Sequence, residues 1–343
     1  MVRTGLARGV SLVALSAAIG MPAQADAIAD FYKSNSLKMI VASGPGGGYD
    51  TYTRVLGRHF ARHLPGQPSI IVQNMPGASG LKATNYIANN APKDGTAMLA
   101  TYNAMLMEPL AGGAGAQFDV QRLNWIGSIS KVQNLCVTWH TNSIKTFEDA
   151  MTREVTVAST GATGNSGTLP RLLNQIIGTK FKVIMGYTTT DSRLAVERGE
   201  VDGICGYSYA TLLASSPDWI KNNKVNILIQ NGLKPHPKLP DVPLTLSKVT
   251  READKALLRL YSATEETGRP YVAPPDVAPE RIQALRRAFD ATMVDAVFLA
   301  DAEKSNLEVD PLTGEEMHAL LRELYATDPK VVEQLRELVN RSE

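Results

Sequence analysis

From residue 38 onward, short apolar runs alternate with amphipathic stretches and glycine-rich breaks. Lys38-Met39-Ile40-Val41-Ala42-Ser43 has the length and apolarity of a buried strand and stops at Gly44-Pro45-Gly46-Gly47-Gly48. Val55, Leu56 and Phe60 then share one helical face, with Asp50 placed to cap that helix and Gly66 where the chain must turn. Residues 69–73 read as a second strand, residues 74–80 as another glycine loop, residues 81–88 as a helix and residues 97–102 as a third strand. This β-α-β-α-β order predicts a parallel sheet with right-handed crossovers.

The middle of the chain repeats the theme. Strands are expected at 134–139, 155–159, 182–185, 201–205 and 225–230. The second of these runs into Thr160-Gly161-Ala162-Thr163-Gly164-Asn165-Ser166-Gly167, ahead of a helix over 169–177 that Gly178 ends. Asp191 can cap a short helix ending at Gly199. The tail is helical. Pro279 suits a first turn, Ile282, Leu285, Phe289, Met293, Ala296, Val297 and Ala300 form an apolar stripe, and Thr313 with Glu316 forms a capping box. Asp328-Pro329 opens the last helix, and proline-rich stretches at 235–243 and 270–275 mark chain crossings. The pattern predicts two α/β lobes, each a sheet flanked by helices. Residues 26–130 and 251–343 make a discontinuous first lobe and residues 131–250 a second, with the tail helices packed back on the first.

The start of the chain has a different character. Arg3 and Arg8 precede an apolar stretch, and Ala23-Gln24-Ala25 offers a small-x-small cleavage site. The stretch is short of the ~20 residues a membrane span needs, so residues 1–25 read as a signal peptide and the mature chain as a periplasmic protein. Removing two arginines moves the formal charge from +1 to −1, which leaves no broad basic field for nucleic acid. Export puts Cys136 and Cys205 in an oxidising compartment, where they form either a disulfide or two buried thiols.

Three strand–glycine loop–helix units carry the candidate chemistry. A helix N-terminus leaves four N–H groups unpaired and carries about half a positive charge. Glycine lets a ligand approach such an end closely, so units aligned along sheet edges define an anion site built from backbone. The loops are short of cations: only Lys82 and Arg171 lie near them, both within helices. Recognition is therefore expected from N–H groups and from the hydroxyls of Thr160, Thr163, Ser166, Thr188 and Thr189. At about 1.5–3 kcal/mol per bond to a charged group, four such bonds supply micromolar affinity.

Enzyme and cofactor signatures are poor. Tyr49 stands where a dinucleotide fingerprint needs its third glycine, and no loop continues as a P-loop. Gly206-Tyr207-Ser208-Tyr209-Ala210 lacks the last glycine of G-x-S-x-G, and His236 lies in a proline-rich connector. His59 and His63 have metal-ligand spacing without the glutamate of HExxH and read as solvated, as does the acidic pair Glu265-Glu266.

The order Pro45-Gly46-Gly47-Gly48-Tyr49-Asp50 with Arg54, Asn74 to Gly80, Ala91-Pro92-Lys93-Asp94-Gly95, Gly199-Glu200-Val201-Asp202-Gly203 and Leu239-Pro240-Asp241-Val242-Pro243 resembles the Bug-type extracytoplasmic solute receptors of tripartite tricarboxylate transporters, over nearly the whole mature chain. The resemblance implies a periplasmic-binding-protein-like clamshell (type II) that binds a carboxylate between its lobes. It implies as partners the small and large membrane subunits of a transporter; with the poor enzyme and metal signatures, no catalysis, cofactor or metal is expected, and the chain is expected to be a monomer. By position, Gly46, Gly47, Gly48 and Asp50 form the first-lobe contact, and Thr160, Gly161, Thr163, Gly164, Asn165, Ser166 and Tyr187 the second. Tyr49, Gly77, Thr101 and Thr188 complete the candidate ligand-binding set. Thr188-Thr189-Thr190 replace a basic residue and glycines found in many members, and Thr168 replaces a histidine, so the resemblance leaves the ligand's identity open. A ligand sensor for a membrane signalling partner is the alternative from another class, ahead of a secreted serine hydrolase.

Overall fold

The computed structural model describes residues 21–112, 115–162 and 164–340. The signal-peptide assignment falls mostly outside the described residues; a helix spans Met21–Ser34.

Among the described residues, eleven strands form two sheets. The first sheet contains β1 (Leu37–Val41), β2 (Ile70–Asn74), β3 (Ala97–Ala100), β4 (Asn124–Ser128), β10 (Pro270–Ala273) and β11 (Leu312–Thr313), in the order β11-β4-β10-β3-β1-β2. The second contains β5 (Asn134–Trp139), β6 (Val155–Ser159), β7 (Phe181–Met185), β8 (Gly203–Ser208) and β9 (Val225–Asn231), in the order β7-β6-β8-β5-β9. This is a two-lobed α/β clamshell with helices around both sheets. β1 lies parallel to β2 and β3, with Met39 opposite Val72 and Met98, and β10 runs antiparallel between β3 and β4. β3 is buried along its whole length while β2, at the edge, is half-exposed, as expected for covered central strands against an open edge.

The chain passes between the sheets twice, at 129–133 and over 232–269. The second passage carries the helix Glu252–Ala263 and leads into β10. That fully buried strand occupies a stretch expected as a proline-rich crossing. Its Pro270 sits at the strand's first residue, the place where a missing donor costs least.

Two tail expectations change. The stripe through Val297 and Ala300 does not continue: the helix Pro279–Met293 ends, and the Asp295 side chain accepts a 2.8 Å bond from the Val297 amide and starts a new helix, Ala296–Lys304. The break shifts the helical phase, so Phe298 and Ala302 are buried while Val297 is 57% exposed. The last helix, Pro329–Asn340, lies against the helices Glu252–Ala263 and Asn165–Ile176, the latter belonging to the second sheet. Its Val332, Leu335 and Leu338 share a core cluster with Leu169, Leu172 and Leu173. Cys136 and Cys205 face each other across β5 and β8 and are joined by a disulfide.

Candidate functional site

Four loops converge between the sheets: residues 42–47 after β1, residues 75–80 after β2, residues 160–164 after β6 and residues 186–188 after β7. They touch. Ser79 Oγ lies 3.1 Å from Thr160 Oγ1, and Tyr102 Oη 3.4 Å from Thr189 Oγ1. Thr190 Oγ1 donates to the Pro45 carbonyl at 3.0 Å, and Asn165 Nδ2 to Asn103 Oδ1 at 2.9 Å. Glycine permits this approach. A Cβ added at Gly164 or Gly161 would stand 2.6 Å from Ser79 Oγ, and one at Gly48 would collide with the Thr211 side chain.

Two adjoining cavities lie between the lobes, of about 590 and 660 Å³ including space open at their mouths. Tyr102, Thr160 and Thr189 line both. The first is bounded by the start of the helix Gly48–Phe60 and by the start of the helix Asn165–Ile176, so helix N-termini from both sheets reach it.

The candidate residues divide among three places. Gly48, Tyr49, Thr160, Gly164, Asn165 and Ser166 line the first cavity, and Gly77, Thr160, Tyr187 and Thr188 the second. Gly46, Gly47, Asp50, Gly161 and Thr101 line neither cavity, and Thr163 lies outside the described residues.

Asp50 does not cap its helix, whose N-cap is Gly47. Its carboxylate folds back to accept from the Gly46 amide at 2.9 Å, from Arg54 Nε at 3.0 Å and from Asn74 Nδ2 at 2.8 Å. Burial pushes this carboxyl upward, but the bonds from Arg54, Gly46 and Asn74 outweigh it and hold the pKa below the ordinary value. The acid thus ties the first two loops together. Thr101 is fully buried, its hydroxyl 2.9 Å from that of Thr84. The Ser166 hydroxyl is spent within its own loop, accepting from the Thr160 amide and lying 3.2 Å from Ser159 Oγ. Thr188 caps the helix Thr189–Glu197 in a box closed by the Asp191 carboxylate.

Arg269 was not among the sequence candidates, yet it lines the first cavity while only 2% exposed. It stands at the end of the second passage, next to Pro270 of β10. Its guanidinium carbon lies 4.4 Å from the Tyr49 ring centroid and 5.0 Å from that of Tyr52. Nη2 donates to Ser208 Oγ and Thr211 Oγ1, both at 2.8 Å, and Nε has no partner. Among the described residues no acidic group lies within ion-pair distance of it. The first cavity thus holds a buried cation beside the amides and hydroxyls expected from sequence. The signal available in sequence was an arginine entering a four-residue run, Pro-Tyr-Val-Ala, of strand character.

Glu265 departs from its expected solvated state. It is 2% exposed, and Oε1 accepts from Asn134 Nδ2 at 2.7 Å and Asn231 Nδ2 at 2.6 Å, at the ends of β5 and β9. Burial raises its pKa from 4.5 to about 8 against those hydrogen bonds, so at neutral pH the group is mostly uncharged. The histidines are not solvated either: His59 Nε2 sits 2.6 Å from Asp301 and His63 Nε2 2.8 Å from Asp295, bracing the helix Gly48–Phe60 and the turn after it against the tail. Ser208 bonds to Thr211 and Arg269, while the His236 ring faces Glu308 at 3.5 Å and Tyr209. Among the described residues no histidine is bonded to Ser208.

Two sheets joined by two passages, with two adjoining cavities between them, define a two-lobed periplasmic-binding-protein-like fold. No protein-family model matches the chain. It is 25% identical to a UPF0065 protein of Bordetella bronchiseptica over 248 residues, 70% of each chain. It is 36% identical to protein BugT of Bordetella pertussis over 110 residues, 32% of this chain and 31% of that one. Among solved structures, the periplasmic binding protein BugD superposes with a TM-score of 0.72 at 18% identity, covering 89% of this chain and 98% of BugD. MatC from Rhodopseudomonas palustris with bound malate gives 0.70 at 15%, covering 90% and 99%. R. palustris Rpa4515 with adipate gives 0.67 at 13%, covering 89% and 97%. The chain is thus similar in sequence to Bug-type proteins and shares the fold of the periplasmic binding protein BugD.

Proposed function

We propose that this protein is a periplasmic receptor, not an enzyme, that captures a small carboxylate between its lobes and delivers it to the small and large membrane subunits of a tripartite transporter. The observation that carries the reading is Arg269, a guanidinium buried in the cavity between the lobes with no acidic partner among the described residues. An uncompensated buried charge costs several kcal/mol, and an anion in the cavity offsets that cost. The tip of the helix Asn165–Ile176, with no acid in its first turn, brings further N–H donors to the same cavity. MatC with bound malate and Rpa4515 with adipate, which share the fold, hold small carboxylates.

The working motion is closure about the two passages, the first sheet with its helices as one lobe moving against the second sheet with its helices, to which the helix Pro329–Asn340 is packed. The contacts of Ser79 with Thr160 and of Asn103 with Asn165 are those of the closed form. A thermal-shift screen of small carboxylates on the mature protein tests the reading. A ligand at 100 times its Kd adds about 2.7 kcal/mol of stability. Stabilisation by sugars or amines, with none by any carboxylate, rules the reading out. Solute uptake in a deletion strain tests delivery: uptake that persists undiminished points to sensing instead.

A further inference from the structure

The charge carried by the ligand follows from how the cavity is already neutralised. Of the helix ends facing the space between the lobes, two hold a carboxylate of their own. Asp50 folds onto the Gly46 amide ahead of the helix Gly48–Phe60, and Asp191 onto the Thr188 amide ahead of the helix Thr189–Glu197. A second negative charge at either end would meet a like charge in place. The tip of the helix Asn165–Ile176 has no acid, and it offers about half a charge. Among the described residues lining the first cavity, Arg269 is the one that carries a full charge. Glu265 does not neutralise it, being held mostly protonated among Asn134 and Asn231.

Resting on the reading above, we infer that the ligand is a monocarboxylate bearing a neutral hydrogen-bond acceptor at its far end. The carboxylate sits at Arg269, whose free Nε and flanking Tyr49 ring form the charged end of the cavity. The neutral acceptor faces the amides at Gly164–Ser166, where a half charge matches a dipole better than it matches a buried carboxylate. Tyr49, Tyr102, Tyr207 and Ile204 supply walls for an apolar body between the two ends.

Two homologous series isolate the far end: hexanoate, adipamate and adipate, and butyrate, succinamate and succinate. Each differs only in a terminal methyl, amide or carboxylate. Calorimetric titration of the wild-type protein at pH 7 is expected to give the monoamide the tightest binding in whichever series fits, at least tenfold tighter than its diacid, about 1.4 kcal/mol. Arg269→Gln is expected to weaken the monoamide at least tenfold, and Arg269→Lys to weaken it less. If Arg269→Gln fails to fold, the wild-type series and Arg269→Lys decide. A diacid that binds as tightly as its monoamide, or tighter, overturns the monoanion while leaving the carboxylate receptor standing. Undiminished binding to folded Arg269→Gln overturns the role of Arg269. No binding by any member, together with binding of an uncharged solute, overturns both readings.

Discussion

Glu265→Gln should make the protein more stable in alkaline solution and change little in acid. The carboxyl has a pKa of about 8 in the fold against 4.5 ordinarily, because its side chain is sealed from water between Asn134 and Asn231. Below pH 4.5 both the folded and the unfolded chain hold the proton, and burial carries no ionisation penalty. Between 4.5 and about 8 the unfolded chain gives up its proton while the folded one keeps it. Stability then falls by about 1.4 kcal/mol per pH unit and levels off above the folded pKa, a total of roughly 5 kcal/mol. Glutamine keeps an acceptor for the two asparagine amides and loses only the 3.4 Å contact from the Asn134 backbone amide. It has no charge to bury. Urea unfolding followed by circular dichroism from pH 4.5 to 8.5 measures both proteins. The variant's advantage is expected to be near zero at the acid end and to grow to several kcal/mol by pH 8. A difference between variant and wild type that does not change with pH refutes the account.

Other perturbations have equally definite outcomes. Gly164→Ala places a methyl against Ser79, so it should lower ligand affinity about tenfold, roughly 1.4 kcal/mol, by obstructing closure; adding Ser79→Gly should restore most of the loss in a calorimetric titration. Asp50→Asn should lower the melting temperature at neutral pH. The difference from wild type should shrink as pH falls through the depressed pKa of Asp50, because the stability a lowered carboxyl contributes is present above its ordinary value of 3.8 and lost in acid. Replacing Cys136 and Cys205 together by alanine opens a loop of 69 residues and should cost about 4 kcal/mol on the chain-entropy model, measured by denaturant unfolding.

Periodicity was a good guide where one rule governed a segment. Strands β1, β2, β3, β5, β6, β7, β8 and β9 were visible as short apolar runs between glycine breaks, with boundaries displaced by a few residues at most. The Thr313–Glu316 box was legible because it is a local hydrogen-bond pattern. What escaped were features set by distant partners. β4, β10 and β11 take their place from pairing with one another across much of the chain, and β10 resembled a linker because it begins with proline. Asp50 occupied a plausible cap position, but the loop competing for its carboxylate lay two dozen residues away at Asn74. Val297 obeyed the helical period of its neighbours until Asp295 reset the phase. The candidate site divided along the same line. The loop residues Gly48, Asn165 and Thr160 could be read from the strand–loop–helix order. Arg269 and Glu265 could not, since nothing local distinguishes a buried charge from a solvated one; the distinction lies in Tyr49, Tyr52, Asn134 and Asn231, all far away in sequence.

The last helix has a bearing on how the protein is made. Its twelve residues, Pro329–Asn340, supply Val332, Leu335 and Leu338 to the cluster holding Leu169, Leu172 and Leu173 of the helix whose tip faces the cavity. Ribosomal synthesis delivers this helix about 150 residues after the leucines it covers. Until then that leucine stripe lacks the cover that Val332, Leu335 and Leu338 give it. These turns are a clasp across both halves of the molecule, so a nonsense codon ahead of Pro329 should uncover the leucines of the helix Asn165–Ile176.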